Sequence, residues 1–181
     1  PGMTVINPCD FNQTKAATIA IAEYEGPVYL RFGRPKVANF TTNELGFEIG
    51  KGIILNPGED VTIVATGHLV WEALLAAEEL ESEGIGAEVI NIHTIKPLDV
   101  ALILESVLKT GAIISAEEHN YIGGLGESIS GALSKNHPTP QEYVATQDTF
   151  GESGTPIELM QKYGLNKNAI VSASKRVIAR K

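Results

Sequence analysis

Apolar residues recur along this chain in two alternating rhythms. Short apolar runs closed by Gly, Pro, Asn or Asp give way to longer stretches with apolar positions every three to four residues. Met3-Thr4-Val5-Ile6 reads as a strand. Asp10 can cap a helix, with Gln13 three residues on as in a capping box. Residues 11–24 then carry apolar positions at helical spacing until Glu25-Gly26-Pro27 ends them. Val28–Phe32 is a short strand, and Gly33-Arg34-Pro35 a turn. Residues 36–47 show neither period and include Asn39, Thr41, Thr42 and Asn43, so they read as a linker.

Beyond it, strand and helix alternate. Gly52–Leu55 and Val61–Ala65 read as strands around the turn Asn56–Asp60, and Leu69–Glu83 as a helix ending at Gly84. Ala87–Ile92 is a strand, followed by His93-Thr94 and a turn at Lys96-Pro97-Leu98-Asp99. Asp99 can cap a helix to about Lys109. The strand Ala112–Ala116 follows, then a helix opened by Gly123-Gly124-Leu125-Gly126, and a last short strand at Tyr143–Thr146. Helices at 155–163, with Pro156 in the first turn, and at 168–180 close the chain. This alternation predicts an α/β fold of three layers, α/β/α, with a mostly parallel sheet covered on both faces. A strand-helix-strand remnant of a second α/β domain precedes it. The expected boundaries are 1–35 for that remnant, 36–47 for the linker and 48–181 for the main domain.

Composition narrows the function classes. In 181 residues there are 14 basic and 22 acidic side chains, a net charge of −8. An acidic chain argues against general nucleic-acid binding, and no stretch approaches the roughly 20 apolar residues of a membrane span. The single cysteine, Cys9, excludes an internal disulfide framework and a Cys-rich zinc site, which points to a cytoplasmic address. Residues 1–45 balance Lys15, Arg31, Arg34 and Lys36 against Asp10, Glu23, Glu25 and Glu44, so the whole deficit lies in 46–181. The start, Pro1-Gly2-Met3, reads as that of a fragment or subunit of something larger.

Several residue groups invite a chemical reading. Gly123–Gly126 follows a strand and opens a helix, where backbone N–H groups could cradle a phosphate. The spacing matches neither the dinucleotide fingerprint nor the P-loop, and Glu117 and Glu118 beside it would repel an anion. Close helix–sheet packing is the preferred reading. His68, His93 and His119 each follow a strand at the edge where open α/β sheets bind ligands, yet their spacing only restates the βα repeat, so satisfied or exposed histidines are expected. His137 reads as solvated, Cys9 as a partly buried thiol and Trp71 as packed. Strand alternation puts Arg31 on the face opposite Leu30 and Phe32. Arg34 is presented between Gly33 and Pro35 as a fork of donors suited to a phosphate or carboxylate, although a turn arginine is ordinarily a surface charge or ion pair.

The ordered set of motifs resembles a known family. Asn7-Pro8-Cys9-Asp10, the helix after it, and Val28-Tyr29-Leu30-Arg31-Phe32-Gly33-Arg34-Pro35 resemble the end of the pyrimidine-binding domain of transketolases. His93-Thr94-Ile95-Lys96-Pro97-Leu98-Asp99, Glu117-Glu118-His119 with the glycine turn, and Phe150-Gly151-Glu152-Ser153-Gly154 with Tyr163-Gly164-Leu165 resemble the transketolase C-terminal domain. Together they favour transketolase over deoxyxylulose-phosphate synthase and the beta subunit of 2-oxo acid dehydrogenases. The resemblance implies thiamine diphosphate and Mg²⁺ in the complete enzyme, with their ligands in sequence preceding Pro1. It implies transfer of a two-carbon ketol unit between sugar phosphates, as in the pentose phosphate pathway. The partners implied are the remaining transketolase domains or an N-terminal subunit, within a homodimer. No catalytic, cofactor or metal residue is expected in this chain, and it should be inactive alone. Arg34 matches the family position that binds the sugar phosphate, which overrides its ordinary reading. The rival from another class is a regulatory or ligand-binding module using the edge near Thr66, His93 and Glu118.

Overall fold

The computed structural model describes residues 1–181, the side chain of Asn43 excepted. The chain runs β1 (Thr4–Ile6), α1 (Phe11–Ala22), β2 (Val28–Leu30), a 3₁₀ turn (Asn43–Leu45), β3 (Ile53–Asn56), β4 (Val61–Ala65) and α2 (Leu69–Ser82). It continues through β5 (Ala87–Asn91), β6 (Thr94–Lys96), α3 (Val100–Thr110), β7 (Ile113–Asn120), α4 (Leu125–Asn136), β8 (Gln141–Thr146), α5 (Pro156–Lys162) and α6 (Lys167–Ile178).

The main sheet has the order β3-β5-β4-β7-β8. β5, β4, β7 and β8 run parallel, and β3 closes one edge antiparallel to β5. Because successive side chains leave a strand on opposite faces, both faces of this sheet need cover. Ile63 in β4 belongs to a core with α2 and α6, built around Leu69, Leu80, Ile170 and Val177. Its neighbour Val64 belongs to a second core with α3 and α4, built around Ile103, Val107, Ile129 and Leu133. Each fully buried Leu or Ile contributes roughly 1.5–3 kcal/mol. The three expected layers are therefore present. Thr62, on the Val64 face, is buried but satisfied: its Oγ1 lies 2.6 Å from Ser106 Oγ and 2.7 Å from Thr110 Oγ1 on α3.

Helix starts follow the local signals. Asp10 accepts the Gln13 amide at 2.9 Å while Gln13 Oε1 accepts the Cys9 amide at 2.9 Å, a reciprocal cap on α1. Asp99 accepts the Leu102 amide, and Thr155 with Glu158 caps α5. Among the described residues no helix is long and apolar enough to cross a membrane.

Three local differences from the sequence reading matter. The first strand of the Arg31 region ends at Leu30 rather than Phe32, although the Arg31 amide still donates to Ile6 O at 2.8 Å. β7 runs on to Asn120, past Ala116, because after a register break Asn120 pairs with Thr146. Thr94–Lys96, read as the approach to a turn, is instead β6. It pairs antiparallel with β1, which is parallel to β2, in a second sheet ordered β2-β1-β6. The strand-helix-strand unit is thus joined to the main fold by hydrogen-bonded backbone. Residues 36–47 are packed as well: Phe40 lies against Trp71 with ring centroids 5.3 Å apart, and Phe47 stacks on His93 at 4.2 Å.

Candidate functional site

β4, β5 and β7 end at one edge of the sheet, the edge where open α/β folds take ligands. Here that edge mounts the β1-α1-β2 unit. Thr66 Oγ1 donates to Asn7 O at 3.3 Å, and the Asn7 amide donates to His93 O at 2.8 Å. Asn91 Nδ2 donates to Gln13 Oε1 at 3.1 Å and lies 3.3 Å from Cys9 Sγ. Thr66, Asn91, His93 and Cys9 are all buried. Of the edge near Thr66, His93 and Glu118, where the rival ligand-binding reading placed its crevice, the part at Thr66 and His93 is filled by the chain itself, whereas Glu118 lines an open cavity. Burial, with Asp10 beside it, pushes the Cys9 thiol far above its ordinary range, which suits a packed thiol rather than a nucleophile.

A second anchor ties the linker to the same unit. Asp10 Oδ2 accepts the amides of Phe40 at 2.9 Å and Thr41 at 2.7 Å, and Oδ1 accepts Thr41 Oγ1 at 2.7 Å. Burial alone would raise the Asp10 carboxyl, but these bonds and the Gln13 amide outweigh it and hold the carboxyl below its usual range.

The three histidines diverge. His68 Nδ1 lies 3.1 Å from Glu118 Oε2. His93 is fully buried on Phe47, its Nδ1 3.0 Å from Thr94 Oγ1. His119 Nδ1 lies 2.8 Å from Asn120 O. Among the described residues no three His, Cys, Asp or Glu side chains gather as a metal site. Trp71 packs as the sequence suggested, against Phe40.

The glycine turn before α4 is occupied from within. Glu117 is buried, and its carboxylate accepts the amides of Leu125 and Gly126 at 2.8 Å each. A Cβ on Gly124 would overlap that carboxylate. Burial pushes the Glu117 carboxyl up, against the pull of the two amides. A side chain of this protein therefore takes the place a phosphate would need. The sequence placed Glu117 beside the turn as a repelling charge. Only the alternation of β7, which turns Glu117 toward α4 and Glu118 away, could have signalled its role.

Glu118 faces the turn after β2. Arg31 Nη2 donates to Glu118 O at 2.7 Å, and the hydrogen bond from His68, opposed by burial, holds the Glu118 carboxyl below its usual range. Arg34 is exposed in the turn, and among the described residues no ion-pair or hydrogen-bond partner engages it. It lines a cavity of about 430 Å³ with His68, Glu118, Glu152 and Tyr163. A larger cavity, about 750 Å³, lies between the small sheet and α4 and is bordered by Arg31, Lys96, His119 and Lys135. The structure thus brings Arg34, His68 and Glu118 together, and leaves His93 and Cys9 in the packing beneath.

The family described as transketolase, C-terminal domain, matches residues 50–170. The chain is 46% identical over 181 residues to the 6-deoxy-6-sulfo-D-fructose transketolase subunit SqwH of Clostridium sp. (strain MSTE9), covering 100% of this chain and 56% of that protein. It is 37% identical over 171 residues to a subunit of the apulose-4-phosphate transketolase of Phocaeicola vulgatus, covering 94% of this chain and 54% of that one. A solved structure described as a split gene transketolase, inactive beta4 tetramer, superposes with a TM-score of 0.96 at 45% identity, covering 99% of this chain and 59% of that chain. The chain spans about half the length of these two curated relatives. With the family's C-terminal domain matched over residues 50–170 and its relatives aligned along nearly the whole chain, this protein belongs to the transketolase family.

Proposed function

We propose that this chain is the C-terminal portion of a thiamine-diphosphate-dependent transketolase, working with the remaining transketolase domains or a separate N-terminal subunit. The complete enzyme transfers a two-carbon ketol unit between sugar phosphates. This chain's part is to support assembly of the dimer and to supply Arg34 to the substrate's phosphate. The observation that carries the reading is the placement of Arg34. A stiffened turn presents its guanidinium, in no ion pair among the described residues, at the rim of a cavity at the sheet's carboxyl edge that Glu118 and Glu152 also line. A planar fork of donors there fits a tetrahedral oxyanion. The names of two relatives carry such groups, a sulfo-sugar in one and a sugar phosphate in the other.

The residues present do not fit thiamine diphosphate by themselves. The amides opening α4 are engaged by Glu117, and no metal-holding cluster forms among the described residues. We assign cofactor and Mg²⁺ to sequence other than residues 1–181, which would leave the chain alone inactive. The name of the related beta4 tetramer, which includes the word inactive, supports this.

The test is reconstitution. Ketol transfer is assayed for this chain alone, for the complementary domains alone and for the two together, with thiamine diphosphate and Mg²⁺ present throughout. Activity only in the mixture is expected. Turnover by this chain alone, or micromolar binding of the cofactor to it in a calorimetric titration, would overturn the reading.

A further inference from the structure

The turn that carries Arg34 is held from the opposite side by the main domain, and two of its residues do the holding. Glu118, near the end of β7, acts at both ends of the turn. Its carbonyl oxygen accepts Arg31 Nη2 at 2.7 Å, which fixes where the chain leaves β2. Its carboxylate lies 3.1 Å from His68 Nδ1, which fixes the imidazole. The imidazole in turn backs the turn itself: a Cβ added to Gly33 would overlap His68 Cε1 and Nε2. Only glycine allows this approach, so backbone at position 33 rests directly on the ring. The side chain of His68 is 16% exposed and that of Glu118 42%. The hydrogen bond from His68 also holds the Glu118 carboxylate in its charged form.

We propose that His68 and Glu118 are positioning residues for the substrate-anion ligand: a Glu118–His68 clamp that sets the Gly33–Arg34 turn and so aims the Arg34 guanidinium. This gives the C-terminal domain a part in substrate selection. It rests on the reading of Arg34 as the ligand of the substrate's phosphate. A guanidinium is specific only when its fork is aimed, and displacement of a binding group by about 1 Å can cost as much as 100-fold.

The test uses the complete enzyme and compares a phosphorylated aldose acceptor with the same aldose unphosphorylated. His68→Ala and Glu118→Ala are each expected to raise KM for the phosphorylated acceptor roughly 3- to 30-fold, less than Arg34→Ala does, with a smaller rise in KM for the free sugar and little change in kcat. The double variant is expected to be no worse than either single one, because both remove the same pair. Glu118→Gln keeps an acceptor for Nδ1–H and is expected to restore most of the loss. If Arg34→Ala is selective for the phosphorylated acceptor while His68→Ala leaves KM for that acceptor unchanged, the clamp is overturned and the Arg34 reading survives. If Arg34→Ala affects both acceptors equally, the proposal falls with that reading.

Discussion

Glu117 Oε1 accepts the amide of Gly126 at 2.8 Å, so a buried carboxylate of β7 caps the helix that the glycine turn opens. The same carboxylate accepts the Leu125 amide through Oε2. Negative charge at a helix N-terminus is favourable, and two otherwise unpaired donors are satisfied. Glu117→Ala should destabilise the fold by about 2–4 kcal/mol, since two buried amides lose their acceptor. Glu117→Gln should cost less, because the amide oxygen can still accept one of them. Thermal and urea unfolding of the purified chain measure both, and a loss in Glu117→Ala no greater than in Glu117→Gln would remove the capping role.

Arg34→Ala in the complete enzyme should impair phosphorylated substrates and spare unphosphorylated ones. A charge-assisted, bidentate contact is worth roughly 1.5–3 kcal/mol, which corresponds to a loss of about 10- to 150-fold in kcat/KM. Arg34→Lys should recover only part, since an ammonium keeps the charge without the fork. Arg31→Ala is the informative control. Arg31 is bonded to Glu118 O and borders the larger cavity, so a selective loss there with none at Arg34 would move the phosphate contact to Arg31.

Acid should destabilise the chain through His93. Burial lowers its pKa from 6.5 to about 4, so the folded state keeps the ring neutral on Phe47. The unfolded chain takes up a proton below 6.5 and the folded one only near 4. The stability tied to the neutral ring is therefore complete above 6.5 and is lost as pH falls from there to about 4. The span corresponds to about 3 kcal/mol. A His93→Phe variant, measured by urea unfolding across this range, should show a shallower decline. An unchanged slope would mean other groups carry the acid sensitivity.

Residues 48–181 should unfold cooperatively on their own, at a lower temperature than the whole chain. Both cores flanking the main sheet are built almost entirely from residues beyond 60, Cys9 being the exception. The cost is loss of β1 from β6, of Phe40 from Trp71, of Phe47 from His93, and of the bonds that Asn7 and Gln13 make to Thr66, His93 and Asn91. Calorimetry showing a broad, non-cooperative transition would mean that the N-terminal unit is part of the same folding unit.

What was legible in the sequence is what local chemistry decides. Val61–Ala65 is a strand because five apolar or β-branched residues stand between turn signals, and Asp10, Asp99 and Thr155 cap helices because their side chains reach the third amide on. Arg34 could be read as presented by its neighbours Gly33 and Pro35. β6 was not legible: three residues, Thr94–Lys96, show no period, and they are a strand only because β1 lies beside them. The pairing of His68 with Glu118 was equally hidden, since 50 residues separate them and only the parallel order of β4 and β7 brings them together. Glu117 looked like a charge beside a phosphate loop because sequence shows adjacency, not the direction a side chain takes from a strand.

The pairing of β1 with β6 also bears on how such chains can be recombined. The peptide leaves the main sheet at Asn91 and enters the small one at Thr94, so one continuous piece of backbone runs through both sheets. A crossover between homologues placed in the 36–47 segment would graft a foreign β1 onto a native β6 and a foreign Asn7 onto a native His93 carbonyl. A crossover before Thr4 would carry the matched pairs across together. The segment that looks like a joint in the sequence is thus a poor place to swap parts.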